Sequence, residues 1–360
     1  MEGNIMPARV PSPGNVLAME LEAREWSQSD LAALMDRPEQ LISEIINAKK
    51  QITPETALEL SEALGTSAEF WMNLESSYRL HLARQQQGPN QSATARRARL
   101  RELAPYIELR KLGWLDEGDS LAELEQNLQA FLNPPGFEQL QGALFRSSAA
   151  HASRTTSIRA WLARIAGLAH KREPRGLPDL PGLQQNIESI AEFSAQADGP
   201  YRMEKVLAEY GIAYLVVPHL KKAHTDGAAL WLAGLPVIAM SLRYSRVDNY
   251  WFTLMHEIAH LVLGHESAVD GDFTESSEDP QEMQANQWAQ NVLIPPEAYQ
   301  DFLRTKDFSA KHIQAFAAEI SRHPGVVVGR LRYDRHLAYN QHNRLLGNNL
   351  DKQRMITPAV

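Results

Sequence analysis

Nothing in the 360 residues restricts the fold as tightly as His256-Glu257-Ile258-Ala259-His260, set inside the apolar run Trp251–Gly264. The pattern is H-E-x-x-H. Residues four apart lie on one face of a helix, so both imidazoles can hold one metal ion. Glu257, between them in sequence, can reach a water on that metal. A helix over this stretch should start near Arg246. It would have an apolar back of Val247, Trp251, Leu254, Ile258, Leu261 and Val262, and a C-terminal stop at Gly264. Without the metal, the same residues would make a buried helix with two incidental histidines.

Two histidines need a third ligand. The chain has no cysteine, so that ligand must be His, Asp or Glu, and neither a disulfide nor a thiol nucleophile is available. A metzincin would continue H-x-x-G-x-x-H, but here the glycine is one place late and the expected histidine position holds Glu266. His265 and Glu266, just past the helix end, are weaker candidates than Glu282. Glu282 opens a second helical pattern that stops at Pro295-Pro296. There Glu282, Ala285, Asn286, Ala289 and Leu293 share a face, and two alanines would allow close approach to the first helix. Glu282 would complete a His2Glu catalytic zinc site with one position open for water. An alternative stays open. Asp279 as N-cap, Pro280 at the first position and Glu282 at the third also spell a capping box, in which Glu282 only closes the helix start.

Upstream, Ile212–Val217 reads as a strand, Asp226-Gly227 as a turn, and Ala228–Leu232 and Pro236–Leu242 as two short strands. A small sheet in front of an H-E-x-x-H helix is the zincin arrangement. Its edge strand can pair with an extended peptide, and either of the last two strands is a candidate edge. The wording Asp226-Gly-Ala-Ala229, Asn249–Glu257 and Glu282-x-x-Ala285-Asn286-x-Trp288-Ala289-x-x-x-Leu293-Ile294-Pro295, with His323–Arg330 further on, resembles the ImmA/IrrE metallopeptidases over about residues 200–345. That resemblance implies a zinc peptidase acting inside the cell. It would have His256, His260 and Glu282 as ligands, Glu257 as general base, and a repressor or antitoxin-like regulator as its protein substrate. His323 beside Pro324-Gly325 is a candidate catalytic donor for an oxyanion. Its alternative role is a histidine at a helix start.

The first eighty residues carry a different signature. Ser27 with Asp30 approaches a capping box, Leu31, Ala32 and Leu34 follow at helical spacing, and Asp36-Arg37 makes a turn. Pro38 suits the first position of a helix carrying Leu41, Ile42, Ile45 and Ile46. Thr53-Pro54-Glu55 starts another helix ending at Gly65, and Thr66 or Ser67 caps a last one through Phe70 and Trp71. Together with Pro13-Gly14, these stretches resemble HigA-type antitoxins, a branch of the Xre-like helix-turn-helix repressors. The turn departs from that family in having Asp36 where glycine is usual. Residues 20–69 hold eleven acids against four bases, a balance of −7, whereas DNA binding rests on Lys and Arg. Gln40, Ser43, Lys49 and Lys50 are the candidate DNA contacts. A protein-docking or dimerisation module, with a possible homodimer, is the competing use.

Between these ends, Gln85–Ser92 reads as a linker, and Arg96, Arg97, Arg99 and Arg101 read as a solvated helix face. Helical patterns follow over Ala104–Leu115, Leu121–Leu132 and Ile158–Leu168, broken at Pro134–Gly136 and Pro174–Gly182. The expected organisation is mostly α: an all-α helix-turn-helix domain over 1–80, a linker and helical connecting region over 81–200, an α+β zincin-like domain with a small sheet over 201–345, and a tail over 346–360. Hydrophobic residues at 44% and charged residues at 22% fit a soluble protein. With no membrane-spanning run and no signal-like start, the cytoplasm is the expected location and a membrane is not an expected partner. The two functions that follow are a regulatory zinc endopeptidase cutting a partner protein, and a DNA-binding regulator whose metal domain senses or binds without turnover.

Overall fold

The computed structural model describes residues 10–87, 92–135, 137, 152–172, 176–265, 268–269, 279–347 and 350–358. It divides into two compact units, Met1–Arg96 and Arg97–Val360. Glu266, Gly136 and Pro174 lie outside the described residues.

Among the described residues up to Gln87, the first unit has five helices: α1 (Pro13–Ala23), α2 (Gln28–Leu34), α3 (Glu39–Ile46), α4 (Pro54–Leu64) and α5 (Ala68–Gln87). Side-chain caps start α1, α2 and α4. The Ser12, Ser27 and Thr53 hydroxyls accept from the amides of Asn15, Asp30 and Thr56, and Asp30 completes a capping box with Ser27. Pro38 is the N-cap of α3 and so stands one place outside the helix position expected for it. Asp36 has φ 50, the left-handed conformation that favours glycine; an aspartate tolerates it better than most residues. Leu17, Leu31, Ile42, Leu60 and Trp71 are fully buried and form the core. Gly14 is required by a close approach, because a Cβ there would stand 2.3 Å from the Ile45 carbonyl oxygen. Helix α5 runs through Gln85–Gln87, three residues assigned to the linker from sequence. Arginine and glutamine are good helix formers, and the Gly88-Pro89 breaker comes only afterwards.

The second unit is layered on a four-stranded sheet of order β1-β3-β2-β4, with β1 (Ala213–Val216), β2 (Gly227–Leu232), β3 (Leu235–Met240) and β4 (Ala268–Val269). Strand β1 pairs parallel with β3, and β2 pairs antiparallel with both β3 and β4. Side chains alternate between two covered faces. Leu215, Val217, Leu230, Val237 and Ala239 pack with helices α6 (Ala93–Leu103), α7 (Tyr106–Lys111), α8 (Leu121–Leu132) and α9 (Ala152–His170). The segment read as a connecting region therefore supplies one layer of this unit's core, and Trp161 donates its indole N–H to the Val217 carbonyl at 3.2 Å. Arg97, Arg99 and Arg101 are exposed on α6, as a solvated face requires.

The opposite sheet face, with Tyr214, Val216, Ala229, Ile238 and Met240, packs on α10 (Val247–Val262), α11 (Pro280–Leu293) and a helical pair, α12 (Ala310–Glu319) and α13 (Pro324–Tyr333). Two sequence expectations change here. The β2–β3 turn is Ala233-Gly234, both at positive φ as a two-residue hairpin demands, and Gly227 is instead the first residue of β2. Strand β3, a candidate edge, is central because β1 covers its second side. The tail is also packed: Thr357 exchanges two hydrogen bonds with Val216 on the outer side of β1, N to O at 2.9 Å and N to Oγ1 at 2.8 Å.

Candidate metal centre

Helix α10 is packed on both sides within its unit, so its motif residues are buried. Trp251, Leu254, Met255 and Ile258 are fully buried, and so are His256 and Glu257, with His260 at 1% exposed. The fit with α11 comes from Ala285 and Ala289, both fully buried, which let the two helices approach closely. That approach carries Glu282 to the histidines. One carboxylate oxygen lies 3.2 Å from His256 Nε2 and the other 3.6 Å from His260 Nε2, and the two Nε2 atoms are 2.9 Å apart. Asp279 caps α11 by accepting from the Gln281 amide at 2.9 Å, while the Glu282 carboxylate turns to the imidazoles. The Glu282 carboxylate therefore lies beside the two imidazoles, the position a third ligand would take. Burial pushes its pKa up, but the two imidazoles beside it outweigh this and hold it well below the usual carboxylate range.

The donor set fits a small divalent ion. Nitrogen and oxygen ligands about 2.0–2.1 Å from a tetrahedral metal stand roughly 3.3 Å from one another. The observed separations of 2.9, 3.2 and 3.6 Å bracket that value. Among the described residues this is the one group of three or more His, Asp or Glu side chains arranged to hold a metal.

Glu257 is placed by a residue that sequence reading had put in a turn. Gly227, at the start of β2, packs so closely that a Cβ there would stand 2.1 Å from Glu257 Oε1. A glycine inside a strand pattern is the signal of such an approach. Gly227→Ala is expected to leave bound metal unchanged and to lower hydrolysis about 10²-fold by displacing the carboxylate. Metal analysis together with a peptide assay checks this, and undiminished turnover would show that the contact is not needed.

His323 is elsewhere. Its Nδ1 accepts from the Gly325 amide at 2.9 Å and caps α13, and its ring meets Gly347 and, through it, Val247 at the start of α10. His256 lies nine residues further along α10, about 13 Å of helix rise away. The helix-start role accounts for His323, and the structure does not bring it to the metal ligands. Burial lowers its pKa, with Asp248 opposing in part.

In the first unit, Gln40, Lys49 and Lys50 are exposed and Ser43 is half-buried, spread along α3 and the turn after it. Gln40 donates to Glu44 at 2.9 Å. The two arginines of residues 20–69 are engaged: Arg37 forks onto Glu59 at 2.6 and 3.2 Å, and Arg24 pairs with Glu20 and donates to the Leu64 carbonyl.

A buried H-E-x-x-H helix joined by a glutamate from a second helix defines a metallopeptidase-type domain, here in one chain with a helix-turn-helix module. Comparison with known proteins agrees. Residues 212–326 match the IrrE N-terminal-like domain, peptidase family M78, and residues 17–71 match the helix-turn-helix family. Virulence-associated protein A of Dichelobacter nodosus is 39% identical over 72 residues, 19% of this chain and 71% of that protein. The HTH-type transcriptional regulator YddM of Escherichia coli K12 is 30% identical over 73 residues, 20% of this chain and 78% of that protein. An antidote protein of the HigA family from Coxiella burnetii, a solved structure, is 36% identical with 22% of this chain and 88% of that chain covered, at a TM-score of 0.22. The first unit carries a helix-turn-helix module of the kind found in these regulators, and the second carries an IrrE N-terminal-like M78 domain over residues 212–326. Among the described residues no helix is long and apolar enough to cross a membrane.

Proposed function

We propose that the second unit is a zinc-dependent endopeptidase that cuts a partner regulator protein in the cytoplasm. The observation that carries this reading is the convergence of His256 Nε2, His260 Nε2 and the Glu282 carboxylate, with Glu257 one residue away on the same helix. Zinc held there would act as a Lewis acid and lower the pKa of water toward neutrality. Glu257 takes the proton from the attacking water and returns it to the departing amine. A purely sensory site would need the ligands and not this carboxylate. The regulator as substrate rests on the M78 resemblance and on the attached antidote-type module. Chelation is expected to abolish cleavage of a quenched peptide pool, and zinc to restore it. Cleavage that survives complete metal removal would sink the proposal.

We infer a DNA-binding role for the first unit, through Gln40, Ser43, Lys49 and Lys50. Within residues 20–69 Arg24 and Arg37 are engaged by acids, which leaves Lys49 and Lys50 as the basic residues of the proposed contact set to neutralise phosphates. Affinity should therefore fall with log salt at a slope near −2 for each module, from about 0.9 per phosphate. A mobility shift on the gene's own promoter checks this: Lys49→Ala with Lys50→Ala should abolish the shift. No shift by the unaltered protein at low salt would leave docking or dimerisation as the use of the module.

A further inference from the structure

His265 stands directly after Gly264, whose φ of 70 turns the chain back at the end of α10. The turn is closed by the His265 amide, which donates to the His260 carbonyl at 3.0 Å. It folds the His265 ring, 8% exposed, beside the ring of His260, with centroids 5.0 Å apart. His265 is therefore behind a ligand candidate and not itself beside the other two. Its Nδ1 is 3.1 Å from His260 Nδ1, and its Nε2 is 3.2 Å from Gln284 Oε1, on the same helix as Glu282.

Two ring nitrogens at hydrogen-bond distance share one proton, and an amide oxygen only accepts. If Gln284 Oε1 accepts, His265 Nε2 carries the hydrogen. A neutral His265 then has a bare Nδ1, which accepts from His260 Nδ1–H. That leaves the His260 Nε2 lone pair directed toward His256 and Glu282. The opposite order would put the hydrogen on His260 Nε2 and remove it as a ligand. Histidine ligands commonly donate their second N–H to an outer acceptor that fixes tautomer and ring orientation. Here the acceptor would be another histidine, itself oriented by a glutamine.

We propose that His265 and Gln284 are positioning residues that hold His260 in its Nε2-ligating tautomer, a role that rests on the zinc reading of the site. The test is zinc affinity of the full chain, measured by competition with a chromophoric chelator. His265→Phe should bind zinc 10–100-fold more weakly. His265→Asn, whose Oδ1 can take the place of Nδ1, should recover most of the loss, and Gln284→Leu should weaken binding in the same direction. In the zinc-loaded unaltered protein, nitrogen NMR of His260 should show the proton on Nδ1, a readout that needs no variant to fold. Wild-type affinity in His265→Phe, or an unprotonated His260 Nδ1, overturns the proposal. His256→Ala separates the two levels. If it loses zinc while His265→Phe does not, only the outer pair is wrong; if it keeps zinc, the site itself is misassigned.

Discussion

Glu257→Gln is expected to keep its metal and lose peptide hydrolysis by about 10²–10⁴-fold, the range that a positioned general base contributes. The substitution preserves shape, so the packing against Gly227 and the burial of the helix are retained. What it removes is the ability to take a proton, because an amide oxygen is far less basic than a carboxylate. The glutamate does not have to search for its position. It is fully buried on a helix whose neighbouring residues are fully buried too, and the Gly227 backbone leaves no room for a side chain between them. The measurement pairs metal content with turnover of a quenched peptide pool. Equal metal with equal turnover would remove Glu257 as the base. Loss of metal would instead assign it a part in holding the ion.

Withdrawing the metal is expected to destabilise the second unit and leave the first unaffected. A ligand that binds only the folded state, present at a hundred times its dissociation constant, stabilises by about 2.7 kcal/mol. For a unit of this size each kcal/mol is worth about 2–4 °C, so its transition should fall by roughly 5–10 °C on chelation. The first unit has its own core around Leu17, Leu31, Ile42 and Trp71, and no part of the metal group belongs to it. Glu282→Ala is the matching variant. It removes the one anionic member of the group, the carboxylate 3.2 Å from His256 and 3.6 Å from His260. Its cost in zinc affinity should exceed the 10–100-fold typical of an outer partner, and chelation should then shift its transition by little. Calorimetry with and without chelator reads both outcomes. A zinc-dependent shift in Glu282→Ala equal to that of the unaltered protein would return Glu282 to the capping role.

The helix-turn-helix caps, the metal helix and its stop at Gly264 were legible because each is a local matter. Ser27 and Asp30 close their own turn, and two histidines four apart share a face on any helix. Glu282 was legible as a candidate from its spacing to Ala285 and Ala289, but a cap and a ligand have the same local spelling. The decision depended on the direction in which α11 meets α10, which is not a property of either segment. His323 shows the converse. Beside Pro-Gly it looked able to face a cleft, and its ring is used up at the start of its own helix.

By itself, then, the sequence determined the helix caps and helix faces, the absence of any thiol ligand, the acidic balance of residues 20–69 and the short list of metal donors. The tertiary structure decided the rest. It turned the Glu282 carboxylate toward the two histidines, placed Gly227 against Glu257, folded His265 behind His260, and made the middle helices one wall of the sheet. The physical reason is range. Caps, turns and helix faces are set by interactions over three or four residues. Contacts such as His256 to Glu282, or Gly227 to Glu257, join positions some thirty apart in the chain, and they follow from how whole faces of helix and sheet bury one another.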